Sequence, residues 1–200
     1  MIGNKYEEHQ FNEDHQWLFK EISTKYVKRG NFVLSNGQQS EYYIDIKSAY
    51  TDLDFLTKAN ELLYVELVRG FMNDQKKQCQ SIGGLEAGAI PILTSLSLTY
   101  GMPYFWIRKA QKEYGLTEMN LIGTARKPIV IVEDVLNSGA GINRVANEVG
   151  VSNIIGVLCV VNRYQFGDRV TLMDKKNWAN NIVDVRALFK LEDFIGPDGR

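Results

Sequence analysis

Disulfide chemistry has little to work with in this 200-residue chain, which holds only two cysteines, Cys79 and Cys159. They stand far apart, with no Cys-x-x-Cys pair and no histidine cluster nearby, which argues against a disulfide framework and against a zinc site. Two reduced thiols in or near the core fit this pattern, and a reducing compartment is expected. Histidine is equally scarce. His9 and His15 both lie in the N-terminal segment and are assigned surface or packing roles. Long apolar runs are missing too. The longest, Ile154 to Val161, is far too short to span a bilayer, and the polar stretch from Met1 to Asn12 contains no apolar signal segment. Neither sign of charge dominates, with a net charge of −1 and a pI of about 6.2. That balance implies neither a nucleic-acid partner nor an anionic membrane. No internal repeat, low-complexity tract or linker interrupts the chain. A cytoplasmic protein with one domain spanning residues 1–200 is expected.

What is present suits a packed core, for the chain is 44% hydrophobic and 24% charged. Trp17, Leu18, Ile22 and Val27 recur at roughly helical spacing between Asp14 and Lys28, and Gly30 ends that pattern. Ser35-Asn36-Gly37 is a tight-turn signal between Phe32-Val33-Leu34 and Tyr42-Tyr43-Ile44, so a small hairpin is expected over Phe32 to Lys47. Leu53, Leu56, Leu63, Leu67 and Phe71 mark an amphipathic helix within Asp52 to Met72. Four short apolar runs follow Cys79: Ser81-Ile82, Tyr104 to Ile107, Ile129 to Val132 and Ile154 to Val161. Such runs fit strands buried on both faces, with Gly88 to Tyr100 and Gly141 to Val149 as connecting helices and Ile182 to Val185 as a later strand. The alternation predicts an α/β fold with a parallel sheet and a ligand crevice at the carboxyl ends of the strands.

The most informative segment runs from Pro128 to Gly141. An apolar strand reaches two carboxylates, Glu133 and Asp134, and the small-residue loop Asn137-Ser138-Gly139-Ala140-Gly141 then enters a helix. Small residues let backbone N–H groups approach a ligand, and a helix start adds unpaired N–H groups and a positive dipole end. That combination cradles a phosphate. The acids at its lip suit sugar hydroxyls or a hydrated divalent cation.

This stretch resembles the phosphoribosyl pyrophosphate motif of type I phosphoribosyltransferases. The resemblance implies that Glu133 and Asp134 contact the ribose hydroxyls and that Asn137, Ser138, Gly139, Ala140 and Gly141 hold the 5′-phosphate. The family usually has Thr in place of Asn137, and often a hydroxyl residue in place of Gly141. Backbone donors and the Ser138 hydroxyl survive both departures, but side-chain donors are fewer.

Three further segments resemble orotate phosphoribosyltransferases. Ile82 to Pro91, with Gly84, Glu86 and Ala87 at its centre, resembles the pyrophosphate-binding loop. Ile107-Arg108-Lys109-Ala110-Gln111-Lys112-Glu113-Tyr114-Gly115 resembles the mobile catalytic loop, with Tyr114 as an allowed variant. Arg108, Lys109 and Lys112 would offset charge on the departing pyrophosphate. In the family this loop closes over the neighbouring subunit's site, so a homodimer is implied. Phe32 to Asp45 resembles the hood that stacks on orotate, with Tyr43 as the stacking face; some members have Lys in place of Ser35 and Pro in place of Glu41. Finally, Asn162-Arg163-Tyr164-Gln165 resembles a segment whose arginine reads the orotate carboxylate, although an Asp usually precedes it. Arg163 takes that role here, or else it pairs with an acid such as Asp168 and only holds its loop.

The resemblance thus implies the type I phosphoribosyltransferase fold: a parallel sheet flanked by helices, a helix-and-hood segment over about residues 1–47, and a core over about 78–165. It implies a pentosyltransferase that moves the phosphoribosyl group of phosphoribosyl pyrophosphate to orotate or a related pyrimidine, in pyrimidine nucleotide biosynthesis. Mg²⁺ is the implied cofactor, held mainly by the substrate, with Asp134 reaching it at most through water. No covalent nucleophile is needed, and Asp134 joins the three loop cations as a catalytic residue. The alternatives are a non-catalytic or regulatory nucleotide binder of the same fold, for which no DNA-binding appendage is visible, and an enzyme for another base.

Overall fold

Residues 8–34, 37–73, 78–109, 120–165, 167–174 and 178–195 are described by a computed structural model. Its centre is the pair of strands richest in β-branched residues, β6 (Ile129–Leu136) and β7 (Ile154–Asn162). Their side chains alternate between two cores. Val130, Val132, Leu158 and Val160 point to one, and Ile129, Ile131, Val157 and Cys159 to the other. Burial on both faces is the environment of a central parallel strand, and β6 pairs parallel to β7.

Around this pair stand β1 (Val27–Val33), β2 (Gln39–Ile44), β3 (Ser81–Leu85), β4 (Tyr104–Ile107), β5 (Leu121–Gly123), β8 (Arg169–Asp174) and β9 (Ala179–Lys190). Seven strands form one sheet in the order β5-β4-β3-β6-β7-β9-β8. The five inner strands are parallel, and the edge strands β5 and β8 run antiparallel to their neighbours. The helices are α1 (Glu8–Glu21), α2 (Ile46–Ala49), α3 (Leu53–Leu67), α4 (Ile90–Tyr100), α5 (Ala140–Val149) and α6 (Leu191–Ile195). Residues of α1, α3 and α4 fill the first core, including Leu18, Leu63 and Leu93. The apolar side of α5, Ile142, Val145, Ala146 and Val149, fills the second. Asp52 caps α3 by accepting hydrogen bonds from the N–H groups of Asp54 and Phe55.

Strands β1 and β2 form a separate two-stranded sheet, the hood. Here the sequence expectation fails. The helical spacing through Val27 does not continue as helix: α1 ends at Glu21, a π-turn covers Ile22–Tyr26, and Val27 opens a strand paired with Ile44. Gly30 is therefore no helix stop but lies at the bulge of β1, between Arg29 and Phe32. Strand β9 is also far longer than Ile182 to Val185. Strand β8 escaped prediction because its RVTLMD pattern turns only Val170 and Leu172 inward, as a short edge strand does.

That edge is covered from within. Asn143 Oδ1 accepts a hydrogen bond from the Met173 N–H at 2.8 Å, and Asn147 Nδ2 donates to the Met173 carbonyl at 2.9 Å. His15 lies in the packing, its Nε2 2.8 Å from the Leu188 carbonyl and its ring 4.4 Å from that of Phe189, whereas His9 is an exposed partner of Glu13. Both cysteines are free and buried. No helix among the described residues is long and apolar enough to cross a membrane.

Candidate active site

The ends of the parallel strands converge on a cleft of about 680 Å³. Its floor is the carboxyl-terminal part of β6 and the loop after it, from Glu133 to Gly141. Leu85, Glu86 and Gly88 contribute from the end of β3, Lys109 from the end of β4 and Arg163 from the end of β7. The far wall is the hood, with Val33, Leu34 and the stretch from Tyr43 to Lys47.

The strand does not end at the acid pair, as the sequence suggested, but runs on two residues past it to Leu136. Glu133 is opposite Cys159, and Val135 is opposite Val161. Successive side chains of a strand point to opposite faces, so the two carboxylates straddle β6. Each meets a glycine. A Cβ on Gly88, just before α4, would sit 2.6 Å from the Asp134 carboxylate, and one on Gly141, in α5, would sit 3.0 Å from Glu133 Oε2. The Gly141 departure is thus matched to the position of Glu133. Asp134 is buried, and Lys47 Nζ from α2 lies 3.8 Å from its Oδ2. Glu133 is held well above the usual carboxylate range, first by burial and then by its neighbour Asp134. Burial, and then Asp134 and Glu133, push the Tyr50 phenol well up as well. Its hydroxyl is buried without a hydrogen-bond partner among the described residues.

The loop Asn137 to Gly141 lines the cleft throughout. Gly139 takes φ 77° at the N-cap of α5, a left-handed conformation that glycine adopts without strain. Asn143 Nδ2 donates to the Gly139 carbonyl at 3.1 Å, so the side chain that covers the β8 edge also anchors this loop.

At β3, Glu86 accepts a hydrogen bond from the Lys109 N–H at 2.6 Å, which joins the ends of two strands. The Glu86–Ala87 peptide is cis. Gly84 and Ala87 are not lining residues. Gly84 is there for packing, because a Cβ would come within 2.6 Å of the Val132 carbonyl and 2.4 Å of the Ala89 Cβ. Arg108 is not a lining residue either; its N–H extends the β4–β5 pairing to the Asn120 carbonyl at 3.0 Å. Lys112 and Tyr114 lie outside the described residues.

Arg163 reaches from the end of β7 to the hood. Its Nη2 donates to Ser40 Oγ at 3.0 Å and its Nη1 to the Tyr42 carbonyl at 3.5 Å, while its Nε is buried without a partner among the described residues. Burial pulls its pKa down from the usual arginine value. The alternative pairing with Asp168 is not formed. Asp168 meets Lys190 Nζ at 2.7 Å and Asn162 Nδ2 at 3.4 Å instead. Asn162 also donates to the Gly167 carbonyl and accepts from the Tyr164 N–H. A carboxylate there could make neither donation, so the departure from Asp suits this turn. Tyr43 is partly exposed on the cleft wall, its ring 5.6 Å from that of Phe32.

Sequence reasoning missed Ser40, Lys47, Tyr50 and Arg144. Ser40 and Lys47 act across long sequence separations that periodicity does not reveal. Arg144 was accessible, since it sits one helical turn beyond the small residues of the loop.

No protein-family model matches the chain. An orotate phosphoribosyltransferase of Pyrococcus horikoshii is 35% identical over 142 residues, 68% of this chain and 73% of that protein. One of Methanococcus maripaludis is 29% identical over 180 residues, 88% of this chain and 89% of that protein. In structure, the orotate phosphoribosyltransferase of Aeropyrum pernix superposes with a TM-score of 0.64 at 22% identity, over 92% of this chain and 97% of that one. The Mycobacterium tuberculosis orotate phosphoribosyltransferase in complex with 5-phospho-α-D-ribosyl 1-diphosphate gives 0.61 at 18% identity, over 91% and 92%. The sheet order, the cleft at the strand ends and the extent of the Pyrococcus match agree: this chain belongs to the orotate phosphoribosyltransferase family.

Proposed function

We propose that the chain transfers the phosphoribosyl group of phosphoribosyl pyrophosphate to a ring nitrogen of orotate and releases pyrophosphate. The observation that carries this is the union, in one cleft, of the Asn137–Gly141 loop, the acid pair on β6 and Arg163 beneath the hood. The loop's N–H groups and the α5 dipole suit the 5′-phosphate. Glu133 and Asp134 suit the ribose diol, and a Glu133 that keeps its proton can donate as well as accept. Tyr43 offers a face for the pyrimidine, and Arg163 a planar fork for its carboxylate.

In the reaction the bond from the ribose anomeric carbon to the pyrophosphate oxygen breaks, and its electron pair leaves with pyrophosphate. The orotate nitrogen forms the new bond and gives up its proton. Charge builds on the leaving group, where Lys109 stands on the β4 side of the cleft. Lys112 is proposed to add a second cation from the partner of a homodimer. Mg²⁺ bound to the diphosphate of phosphoribosyl pyrophosphate would screen its charge, with Asp134 reaching it at most through water. Two acids, one of them a buried group that resists ionisation, suit a cation carried by the substrate better than a cage of protein ligands. A cytoplasmic location is proposed on the same family grounds. The deciding assay measures pyrophosphate release from phosphoribosyl pyrophosphate with orotate, uracil and purine bases. Release with orotate alone supports the reading, and release with another base in its place overturns it.

A further inference from the structure

We propose that Arg144 is the cation of the 5′-phosphate cradle, a specificity-determining residue for ligands that carry a phosphomonoester. The inference rests on the phosphoribosyl reading of the cleft. A phosphomonoester brings between one and two negative charges at neutral pH, and backbone N–H groups bring no full positive charge to meet them. The loop's own side chains add little. Gly139, Ala140 and Gly141 have no polar side-chain atom, and Ser138 Oγ is turned back to accept from the Ala140 N–H at 3.4 Å.

Four cations line the cleft among the described residues: Lys47, Lys109, Arg144 and Arg163. Two have side-chain partners elsewhere, and the third stands at a different strand end. Lys47 faces Asp134, Arg163 is bound to Ser40 under the hood, and Lys109 follows the strand on the other side of β3, where its N–H is tied to Glu86. Arg144 alone stands on the helix that the loop enters. It lies four positions after Ala140 and three after Gly141, hence on the same helical face. Helical side chains lean toward the N-terminus, which directs Arg144 to the loop end of α5, where it lines the cleft. Arg144 is half-buried, and no carboxylate pairs with it among the described residues. A guanidinium presents two parallel donors to phosphate, which a lysine cannot do.

The test is calorimetry with ribose 5-phosphate, pyrophosphate and phosphoribosyl pyrophosphate on the wild type, Arg144→Met and Arg144→Lys, with melting temperatures as the check on folding. Arg144→Met is expected to weaken ribose 5-phosphate and phosphoribosyl pyrophosphate about ten- to a hundredfold and to leave pyrophosphate unchanged, with Arg144→Lys falling between. Adding Asn137→Thr to Arg144→Met restores part of the loss by returning a hydroxyl donor to the loop. Wild-type affinity for ribose 5-phosphate in Arg144→Met overturns the role of Arg144. An equal loss for pyrophosphate also overturns it, by making Arg144 a general attractor of anions. A wild type that binds pyrophosphate but neither ribose phosphate sinks the phosphoribosyl reading itself, a separate outcome.

Discussion

Replacing Arg163 with leucine separates base recognition from hood bracing. Arg163 makes one good hydrogen bond, Nη2 to Ser40 at 3.0 Å, and one at the long limit, Nη1 to Tyr42 at 3.5 Å. Losing the first costs about 1–2 kcal/mol. The same substitution removes a buried Nε that has no partner among the described residues, which returns a desolvation cost of similar size, about 1–3 kcal/mol. Leucine also keeps much of the buried stem. Folding stability should therefore change by less than about 1 kcal/mol, a shift of a few degrees in Tm. Orotate has no such compensation. A charge-assisted two-point contact to its carboxylate is worth about 1.5–3 kcal/mol, or roughly ten- to a hundredfold in affinity. The assay measures orotate and uracil binding, phosphoribosyl pyrophosphate affinity and Tm for the wild type, Arg163→Leu and Ser40→Ala. Arg163→Leu should lose orotate and its preference over uracil while keeping phosphoribosyl pyrophosphate. Ser40→Ala should lower orotate affinity only mildly. Unchanged orotate affinity in well-folded Arg163→Leu refutes the assignment. Parallel loss of both ligands and of Tm in the two variants makes Arg163 a brace for the hood.

Changing Glu133 and Asp134 together to their amides should weaken phosphoribosyl pyrophosphate by at least tenfold in calorimetry, since the hydrogen bond from a sugar hydroxyl to the Asp134 carboxylate alone is worth about 1.5–3 kcal/mol. Glu133→Gln alone should raise Tm. The native carboxyl keeps its proton to higher pH than the unfolded one, near 4.3, so wild-type stability falls as pH rises from there toward the raised native value. The advantage of the glutamine variant should therefore grow over that window in melts across pH, and a flat difference would contradict it. Asn162→Asp should cost about 1–3 kcal/mol in denaturant titration, because it removes the donor to Gly167 and places a second carboxylate beside Asp168. Mixing Lys112→Ala with Asp134→Asn subunits should restore part of the activity if the sites are shared across a dimer, and inactive mixed dimers would confine the loop to its own subunit.

The chemistry was legible because it is local. The apolar runs at Ile129 and Ile154 are buried on both faces, as such runs must be, and the loops after them carry the polar groups. A continuous segment from Glu133 to Gly141 forms the floor of the cleft with no help from distant sequence. Long-range pairing was illegible. Val27 fits a helical period, yet its partner is Ile44, and only that pairing makes it a strand residue. The strand β8 offers too few inward side chains to stand out. The choice of Arg163 between Asp168 and the hood depends on Lys190 and Asn162, both of which hold Asp168 away. Lys47 meets Asp134 across 87 positions, the difference of their numbers.

The two asparagines of α5 that grip Met173 have a consequence for assembly. An edge strand normally displays free N–H and C=O groups, and another chain can add a strand there. At Met173 both groups are already bonded, to Asn143 and Asn147. An incoming strand would have to displace two amides, one of which also anchors the Gly139 carbonyl. Runaway strand addition at that point would therefore disturb the loop from Asn137 to Gly141. Solubility and ligand binding thus draw on one side chain. Replacing Asn143 would free the Met173 edge and release the Gly139 carbonyl together, so edge protection and the shape of the proposed phosphate loop would be lost in one step.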